Sequence, residues 1–206
     1  MSDIIKALET LKENKWIDLT HSVNSSIPKF GAFPNLNIET LYTIEKDGFF
    51  VDRVSFVTQY GTHIDAPIHF SENKRTLEQL ELKELVLPLF VINKEKEVEN
   101  NPDFILTAED ILNWEKENGK ILDLILNKRG ALAIGHETLD TDASIDIIKN
   151  NFLLSEKFVL DTNKYQVEVL NNLNLLPAKG GVIFIGVPKF DKLPGFPVRA
   201  FAIIPN

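Results

Sequence analysis

The apolar residues of this chain fall in short runs, and this most restricts what it can fold into. The longest run, Leu85 to Ile92, is interrupted by Pro88 and is far shorter than the roughly 20 residues that a membrane-spanning helix needs. Its length and composition predict a buried strand. Further β-rich runs occur at 16–23, 37–44, 49–57, 131–134, 181–187 and 196–204.

Helical patterns are fewer than strand patterns. Ser2 can cap a first helix, and Thr107 with Asp110 forms a capping-box pattern for a second helix that would end at Gly119. The polar segment 95–101 is predicted to be a surface loop. No linker divides the chain, so we expect residues 1–206 to form a single domain of the α/β class with a mixed sheet.

Charge and composition exclude several classes of function. The chain has 22 Lys and Arg against 30 Asp and Glu, a net charge of −8, which is unsuited to a broad nucleic-acid surface or an anionic membrane. It has no cysteine, which excludes thiolate metal sites and cysteine nucleophiles. The charged N-terminal segment lacks a signal-peptide pattern. We therefore expect a cytoplasmic protein that binds neither nucleic acid nor membranes.

Two of the four histidines lie in one short stretch, Gln59 to Phe70. If this stretch is extended, residues two apart project to the same face, and Gln59, Gly61, His63 and Asp65 share one face. Gly61 would leave room beside a ligand. An imidazole and a carboxylate at this spacing suit Zn²⁺ or Mn²⁺, although the same pair also occurs as a surface ion pair or a hydrogen-bonded turn.

Four further residues are weaker candidates. His21 follows a strand and either lines the site or is a hydrogen-bonded structural residue. His136 follows the run 131–134, and strand ends often face ligand crevices. Phe30 and Phe33 could wall an aromatic substrate or could simply pack. The chain has no phosphate-binding loop, dinucleotide fingerprint or nucleophile elbow.

The stretch around His63 resembles the signature His-x-Gly-Thr-His-x-Asp-x-Pro-x-His of the cyclase family, which includes bacterial kynurenine formamidases and isatin hydrolases. The matching residues are Gly61, Thr62, His63, Asp65, Pro67 and His69. Segments 16–21, 135–142, 166–173 and 195–200 are also similar to family segments, so the resemblance covers almost the whole chain.

The resemblance implies a fold, a chemistry and a set of roles. The fold is α/β, with a mixed, partly barrel-like sheet flanked by helices. The chemistry is metal-dependent hydrolysis of amides or lactam-type rings, with one or two divalent ions, Zn or Mn. By matching position, His63, Asp65 and Glu168 would be metal ligands and His69 the catalytic acid–base. Family members commonly associate, so a homodimer or larger homo-oligomer is expected.

Three departures from the family pattern leave an alternative open. Gln59 stands where formamidases carry a histidine, and its amide oxygen would be a weaker ligand. The segment 154–157 lacks a histidine that formamidases use. Relatives are longer than this chain between the second helix and the strand at 131–134, which residues 120–130 connect directly. A single ion or a harder ion is therefore favoured. The alternative is a non-catalytic member that binds a small molecule or a partner protein.

Overall fold

The computed structural model describes residues 2–118 and 130–206. The predicted helix end at Gly119 and most of the shortened segment 120–130 lie outside the described residues. No helix within the described ranges is long and apolar enough to cross a membrane.

Six α-helices lie in the described ranges: α1 (Asp3–Glu13), α2 (Ile44–Asp47), α3 (Glu95–Asn100), α4 (Ala108–Asn118), α5 (Ser144–Asn150) and α6 (Leu154–Asp161). The Ser2 hydroxyl accepts a hydrogen bond from the Ile5 amide and caps α1, as predicted. Thr107 and Asp110 exchange side-chain hydrogen bonds with each other's amides at the start of α4, also as predicted. The loop predicted at 95–101 is wrong. The Asn93 side chain accepts a hydrogen bond from the Glu95 amide and starts α3 there.

The described part of the chain contains ten strands: β1 (Lys15–Asp18), β2 (Asn37–Tyr42), β3 (Val51–Ser55), β4 (His63–Asp65), β5 (Val86–Phe90), β6 (Ala133–Gly135), β7 (Tyr165–Glu168), β8 (Lys179–Gly186), β9 (Gly195–Pro197) and β10 (Arg199–Ile204). Short 3-10 helices occur at Pro67–His69, Leu77–Gln79, Leu82–Leu85 and Leu173–Leu175.

The first four-stranded sheet has the order β1-β10-β8-β5, with every neighbouring pair antiparallel. The second has the order β6-β7-β4-β9, in which β6 and β7 are parallel and the other pairs are antiparallel. β2 and β3 form a separate hairpin. The predicted α/β class with a mixed sheet is confirmed, and within the described ranges the sheets form no closed barrel. The edge strand β5 is only half-buried, not buried as predicted.

The two larger sheets meet where β9 passes into β10 through Val198, whose amide donates to the Thr62 carbonyl. One hydrophobic core joins residues of both sheets, including Ile64 of β4, Val167 of β7 and Ile185 of β8. Because alternate residues of a strand point to opposite faces, Ile64 enters the core while His63 and Asp65 project from the other face of the sheet.

Candidate metal centre

The strands β4 and β7 place four polar side chains on one face of the second sheet. The antiparallel register sets His63 opposite Glu168 and Asp65 opposite Gln166. Directly opposed residues have side chains on the same face within contact distance. The face therefore carries an imidazole, two carboxylates and an amide, and each of the four is almost completely buried.

His63, Asp65 and Glu168 form a compact group of potential ligands. The His63 Nε2 atom lies 3.4 Å from Asp65 Oδ2 and 3.6 Å from Glu168 Oε2. One ligand atom from each residue lies within 4.8 Å of the other two. These distances leave a common point that a small cation could occupy, with one nitrogen and two oxygen donors.

The backbone of Gly61 fixes the orientation of His63. The His63 Nδ1 atom lies 2.7 Å from the Gly61 carbonyl oxygen, which can only accept, so Nδ1 carries the proton and donates. In the neutral ring Nε2 is then an unprotonated nitrogen that faces the carboxylates, the usual arrangement of a histidine ligand.

Gly61 lines the cavity of the site. Its φ is +64°, and a Cβ atom there would collide with Ile27 Cδ1. The glycine therefore also provides a left-handed turn and lets Ile27 pack closely.

The chain leaves the extended conformation after Ala66. Pro67 starts a 3-10 helix that ends at His69, so the expectation of one extended stretch through residue 69 is wrong. The helix turns His69 back toward the site, with its Nε2 atom 3.9 Å from Asp65 Oδ1 and 3.8 Å from Glu156 Oε1. Asp65, His69 and Glu156 form a second group with ligand-like geometry, and Asp65 is common to both groups.

Strained backbone follows Glu168. Val169 has a φ of +54°, a rare conformation for a β-branched residue that persists only where the surroundings enforce it. Its amide donates to the Thr138 carbonyl, and its carbonyl accepts from the Thr62 hydroxyl at 2.6 Å. Thr62 thus joins the residue before β4 to the residue after β7. This hydrogen bond lies directly next to His63 and Glu168 in the sequence.

Two glutamines hold the carboxylates. Gln59 Nε2 donates to Asp65 Oδ1 at 3.2 Å, so the structure shows the predicted ligand as a hydrogen-bond donor to Asp65. Gln166 Nε2 donates to Glu168 Oε1 at 2.9 Å and lies 3.3 Å from Asp65 Oδ2. A side chain at Gly195 would collide with Gln59 and Asp65, which explains the glycine there.

The electrostatics of the site reflect a local excess of negative charge. Burial, reinforced by Asp65, raises the pKa of Glu156 to about 8 and that of Glu168 to about 10. Burial opposes a charge on His63 and on Asp65, but their mutual attraction outweighs it, so the pKa of His63 is raised and that of Asp65 is lowered. Burial lowers the pKa of His69 despite the attraction of Asp65. A buried cluster of this kind favours a cation.

The remaining predicted residues occupy three different places. His136 lies behind Glu168, 3.6 Å from its Oε1, and burial lowers its pKa to about 4. His21 is not among the residues that line the site cavity in the described part of the chain. Its backbone amide donates a hydrogen bond to the Thr62 hydroxyl. Phe30 and Phe33 do line the cavity and form an edge-to-face pair with centroids 5.2 Å apart.

The cavity has a volume of about 210 Å³ and opens over both groups of ligands. Its polar lining includes Gln59, His63, His69, Asp140, Glu156 and Glu168, and its apolar walls include Phe30, Phe33, Phe70, Leu139, Leu153 and Val169. A small ligand with one flat apolar part and one polar part fits such a site.

Comparison with known proteins agrees with this architecture. The family model described as "Putative cyclase" matches residues 17–126, just over half of the chain. The chain belongs to the cyclase family. An isatin hydrolase of Roseibium aggregatum is 25% identical over 84% of this chain and 82% of its own. A kynurenine formamidase of Bacillus anthracis is 30% identical over 84 residues, 40% of each chain.

Solved structures show the same fold. Isatin hydrolase A from Labrenzia aggregata, bound to benzyl benzoate, superposes over the whole of both chains with a TM-score of 0.91 and 23% identity. Isatin hydrolase A from Ralstonia solanacearum has a TM-score of 0.89 and 21% identity, covering 99% of this chain and 98% of its own.

Glu156 is the site residue that sequence reasoning missed. It lies at the start of α6. There the carboxylate of Asp142 accepts hydrogen bonds from the Ser155 and Glu156 amides and so caps the N-terminus of the helix. The segment 154–157 lacks the histidine of the cyclase-family formamidases, and we therefore expected a lost ligand there. Glu156 lies within this segment, twelve residues before Glu168, and this position could have identified it.

Proposed function

We propose that this protein is a metal-dependent hydrolase that cleaves an amide-type C–N bond in a small molecule. The observation that carries the proposal is the buried group of His63, Asp65 and Glu168 beside an apolar cavity. Membership of the cyclase family supports it, since the relatives named above are an isatin hydrolase and a kynurenine formamidase.

The donor set of the site fits a divalent ion. Three carboxylates lie close together, and two of them, Glu156 and Glu168, have pKa values raised by burial and by the negative charge of Asp65. A divalent cation would neutralise this charge, and a set of one imidazole and two carboxylates suits Zn²⁺ or Mn²⁺. We assign His63, Asp65 and Glu168 as the ligands, with Gln59 orienting Asp65.

The ion, when bound, supplies a Lewis acid that polarises a carbonyl oxygen and makes water a better nucleophile. His69 moves the protons. Its ring lies beside Asp65 at the edge of the cavity, and its lowered pKa keeps it neutral near pH 7. Nε2 of His69 therefore accepts a proton from the attacking water and returns it to the leaving nitrogen.

The cavity wall suggests the kind of substrate. Phe30 and Phe33 present two aromatic rings, and flat aromatic groups pack well against such a pair. An aryl formamide, or a cyclic amide fused to an aromatic ring, has both an aromatic ring and an amide carbonyl. The ring would lie against the phenylalanines and the carbonyl toward His63. A cytoplasmic location is part of this proposal.

The proposal is tested by metal content and turnover measured on the same samples. Protein purified without chelator is analysed for metals, stripped, reloaded with Zn²⁺ or Mn²⁺ and assayed on isatin and on N-formylkynurenine. We expect at least one equivalent of metal and metal-dependent hydrolysis of one of the two compounds. His63→Ala should lose both properties, and His21→Ala, outside the cavity lining, should keep both.

A protein that binds no transition metal after reloading and hydrolyses neither compound would contradict the proposal. That result would favour the non-catalytic binding module, which the sequence left open. Binding of one ion or of two, from the same elemental analysis, decides whether the group of Asp65, His69 and Glu156 also holds metal.

A further inference from the structure

Lys29 brings a positive charge into a cavity that the proposed metal site does not need it for. Of the described residues that line the cavity, Lys29 alone is a lysine or arginine. The acidic lining consists of Asp140, Glu156 and Glu168. A cavity that held only a metal ion would gain nothing from a lysine, because an ammonium group repels a cation. Lys29 therefore indicates a second ligand group, one with a negative charge.

Two hydrogen bonds fix the end of Lys29 beside the aromatic wall of the cavity. Its Nζ atom donates to the Phe33 carbonyl at 2.9 Å, and the Phe33 amide donates to the Phe30 carbonyl at 3.0 Å. Lys29 is half-buried. Ordering a long lysine side chain costs rotamer entropy. Because the Phe33 contact already orders it, a ligand that binds there does not bear this cost.

The protein does not neutralise the charge of Lys29. In the described ranges no carboxylate forms an ion pair with its ammonium group, whereas Lys6, Lys94 and Lys157 each have an acidic partner. The Phe33 carbonyl is a backbone group without net charge. An ammonium group has three donors, so two of them remain for a ligand.

The surroundings of Lys29 define the chemistry of that ligand. Lys29, Phe30 and Phe33 all belong to one short segment of the cavity wall, so a positive charge lies next to two aromatic rings. Charge-assisted hydrogen bonds to a carboxylate are stronger than those between neutral groups, and flat rings pack well on phenylalanines. The segment therefore suits an aromatic carboxylate. The potential metal ligands lie on other elements, β4 and β7, and would bind a different part of the same molecule.

We propose that Lys29 selects aromatic substrates that carry a carboxylate in addition to the amide. The ring packs against Phe30 and Phe33, and the carboxylate accepts hydrogen bonds from the two remaining donors of Lys29. That this ligand is a substrate rests on the proposed hydrolase function. Recognition of the carboxylate does not require turnover, so the two can be tested separately.

Ligand binding without metal tests the recognition itself. The metal-stripped full chain is titrated at pH 7 with benzoate and with benzamide, which have nearly the same shape and differ in charge. The wild type should bind benzoate roughly tenfold more tightly, the effect of one hydrogen bond to a charged group. Lys29→Gln removes the charge but keeps a donor for the Phe33 carbonyl, and it should bind the two ligands equally. Lys29→Arg should retain the preference.

Lys6→Gln is the matched control for the loss of one positive charge. Lys6 lies on α1, outside the described cavity lining, and this variant should prefer benzoate as the wild type does. A preference that falls equally in Lys6→Gln and Lys29→Gln would contradict the proposal, because it would reflect the net charge of the protein and not a contact with Lys29.

Turnover tests the substrate class. The metal-loaded enzyme is assayed on 3- and 4-formamidobenzoate and on their methyl esters. In the wild type, kcat/KM for the better acid should exceed that for its ester roughly tenfold, and in Lys29→Gln the ratio should approach one. If no amide is hydrolysed while benzoate is still preferred, the hydrolase function and the substrate class fail and the recognition of the carboxylate by Lys29 stands. Equal kcat/KM for acid and ester in the wild type would contradict the role of Lys29 and leave the hydrolase function intact.

Three results of the binding experiment would overturn the proposal. The first is a wild type that binds benzamide as tightly as benzoate. The second is a Lys29→Gln variant that keeps the preference for benzoate. The third is a Lys29→Gln variant that loses affinity for both ligands by the same factor, which would show that Lys29 only supports the cavity wall.

Discussion

The strand β4 and the hairpin β2–β3 distribute their side chains in opposite ways. In β4 the polar residues His63 and Asp65 are 5% and 0% exposed, and in the hairpin Phe50 and Ile44 are 59% and 71% exposed. Both arrangements cost free energy in an isolated chain, because buried charge loses its hydration and exposed apolar surface orders water. β4 therefore gathers buried charge that a cation would neutralise, whereas the hairpin leaves apolar side chains in contact with solvent.

The positions of the two regions in the sheets explain the difference. β4 is a central strand, hydrogen-bonded to β7 on one side and to β9 on the other, so its side chains are held rigidly. The hairpin has two free edges. Substitutions at the β4 site should change chemistry and stability, whereas substitutions of exposed hairpin side chains should leave metal binding unchanged. The following predictions test this separation.

The prediction with the largest expected effect concerns His69 and distinguishes proton transfer from metal binding. His69→Ala should retain the metal held by His63, Asp65 and Glu168 and should lose turnover by roughly 10²–10⁴, the usual cost of removing a general acid–base. Metal content and kcat are measured on the same preparation.

The competing outcome is equally specific. If His69→Ala loses metal as completely as His63→Ala, then His69 is a ligand in the group with Asp65 and Glu156, and the assigned division of roles is wrong. If turnover of a confirmed substrate does not change, proton transfer occurs elsewhere.

A glycine in each region gives the next test. Gly61→Ala should lower the free energy of unfolding by about 2–4 kcal/mol, since it combines a left-handed backbone with a collision against Ile27. Gly48, at the turn of the hairpin, has a φ of +79° and open space around it. Gly48→Ala should therefore cost only about 1 kcal/mol. Urea unfolding of the metal-free proteins measures both, and equal costs would show that the Ile27 contact is unimportant.

Much of this fold and site could be predicted from local patterns. Strand positions followed from β-rich runs, and His63 with Asp65 followed from their alternation. Glu156 could not be derived in the same way, because it reaches the site only through the packing of α6 on the 3-10 helix of His69. The exposure of Phe49 and Phe50 could not be predicted either, because an apolar run does not show which of its faces the rest of the chain covers.

The smallest predicted effect concerns Glu156 in the metal-free protein. Burial raises the pKa of Glu156 to about 8 in the folded state, against 4.5 for an exposed glutamate. Between these two values the unfolded chain has released the proton while the folded chain still holds it, so stability falls as the pH rises through this window. Below pH 4.5 the group is protonated in both states and contributes no difference.

Glu156→Gln removes this ionisation while keeping the shape of the side chain. Without metal, the variant should match the wild type near pH 4.5 and exceed it by about 1–3 kcal/mol at pH 8, measured by urea unfolding at both values. With saturating metal at pH 8 the order should reverse if Glu156 supports a bound ion, because the wild type then gains a favourable charge interaction. A variant that is less stable than the wild type at pH 8 without metal would show that Glu156 is ionised there and satisfied by the protein itself. In that case the site would need no cation, and the comparison between β4 and the hairpin would fail at β4.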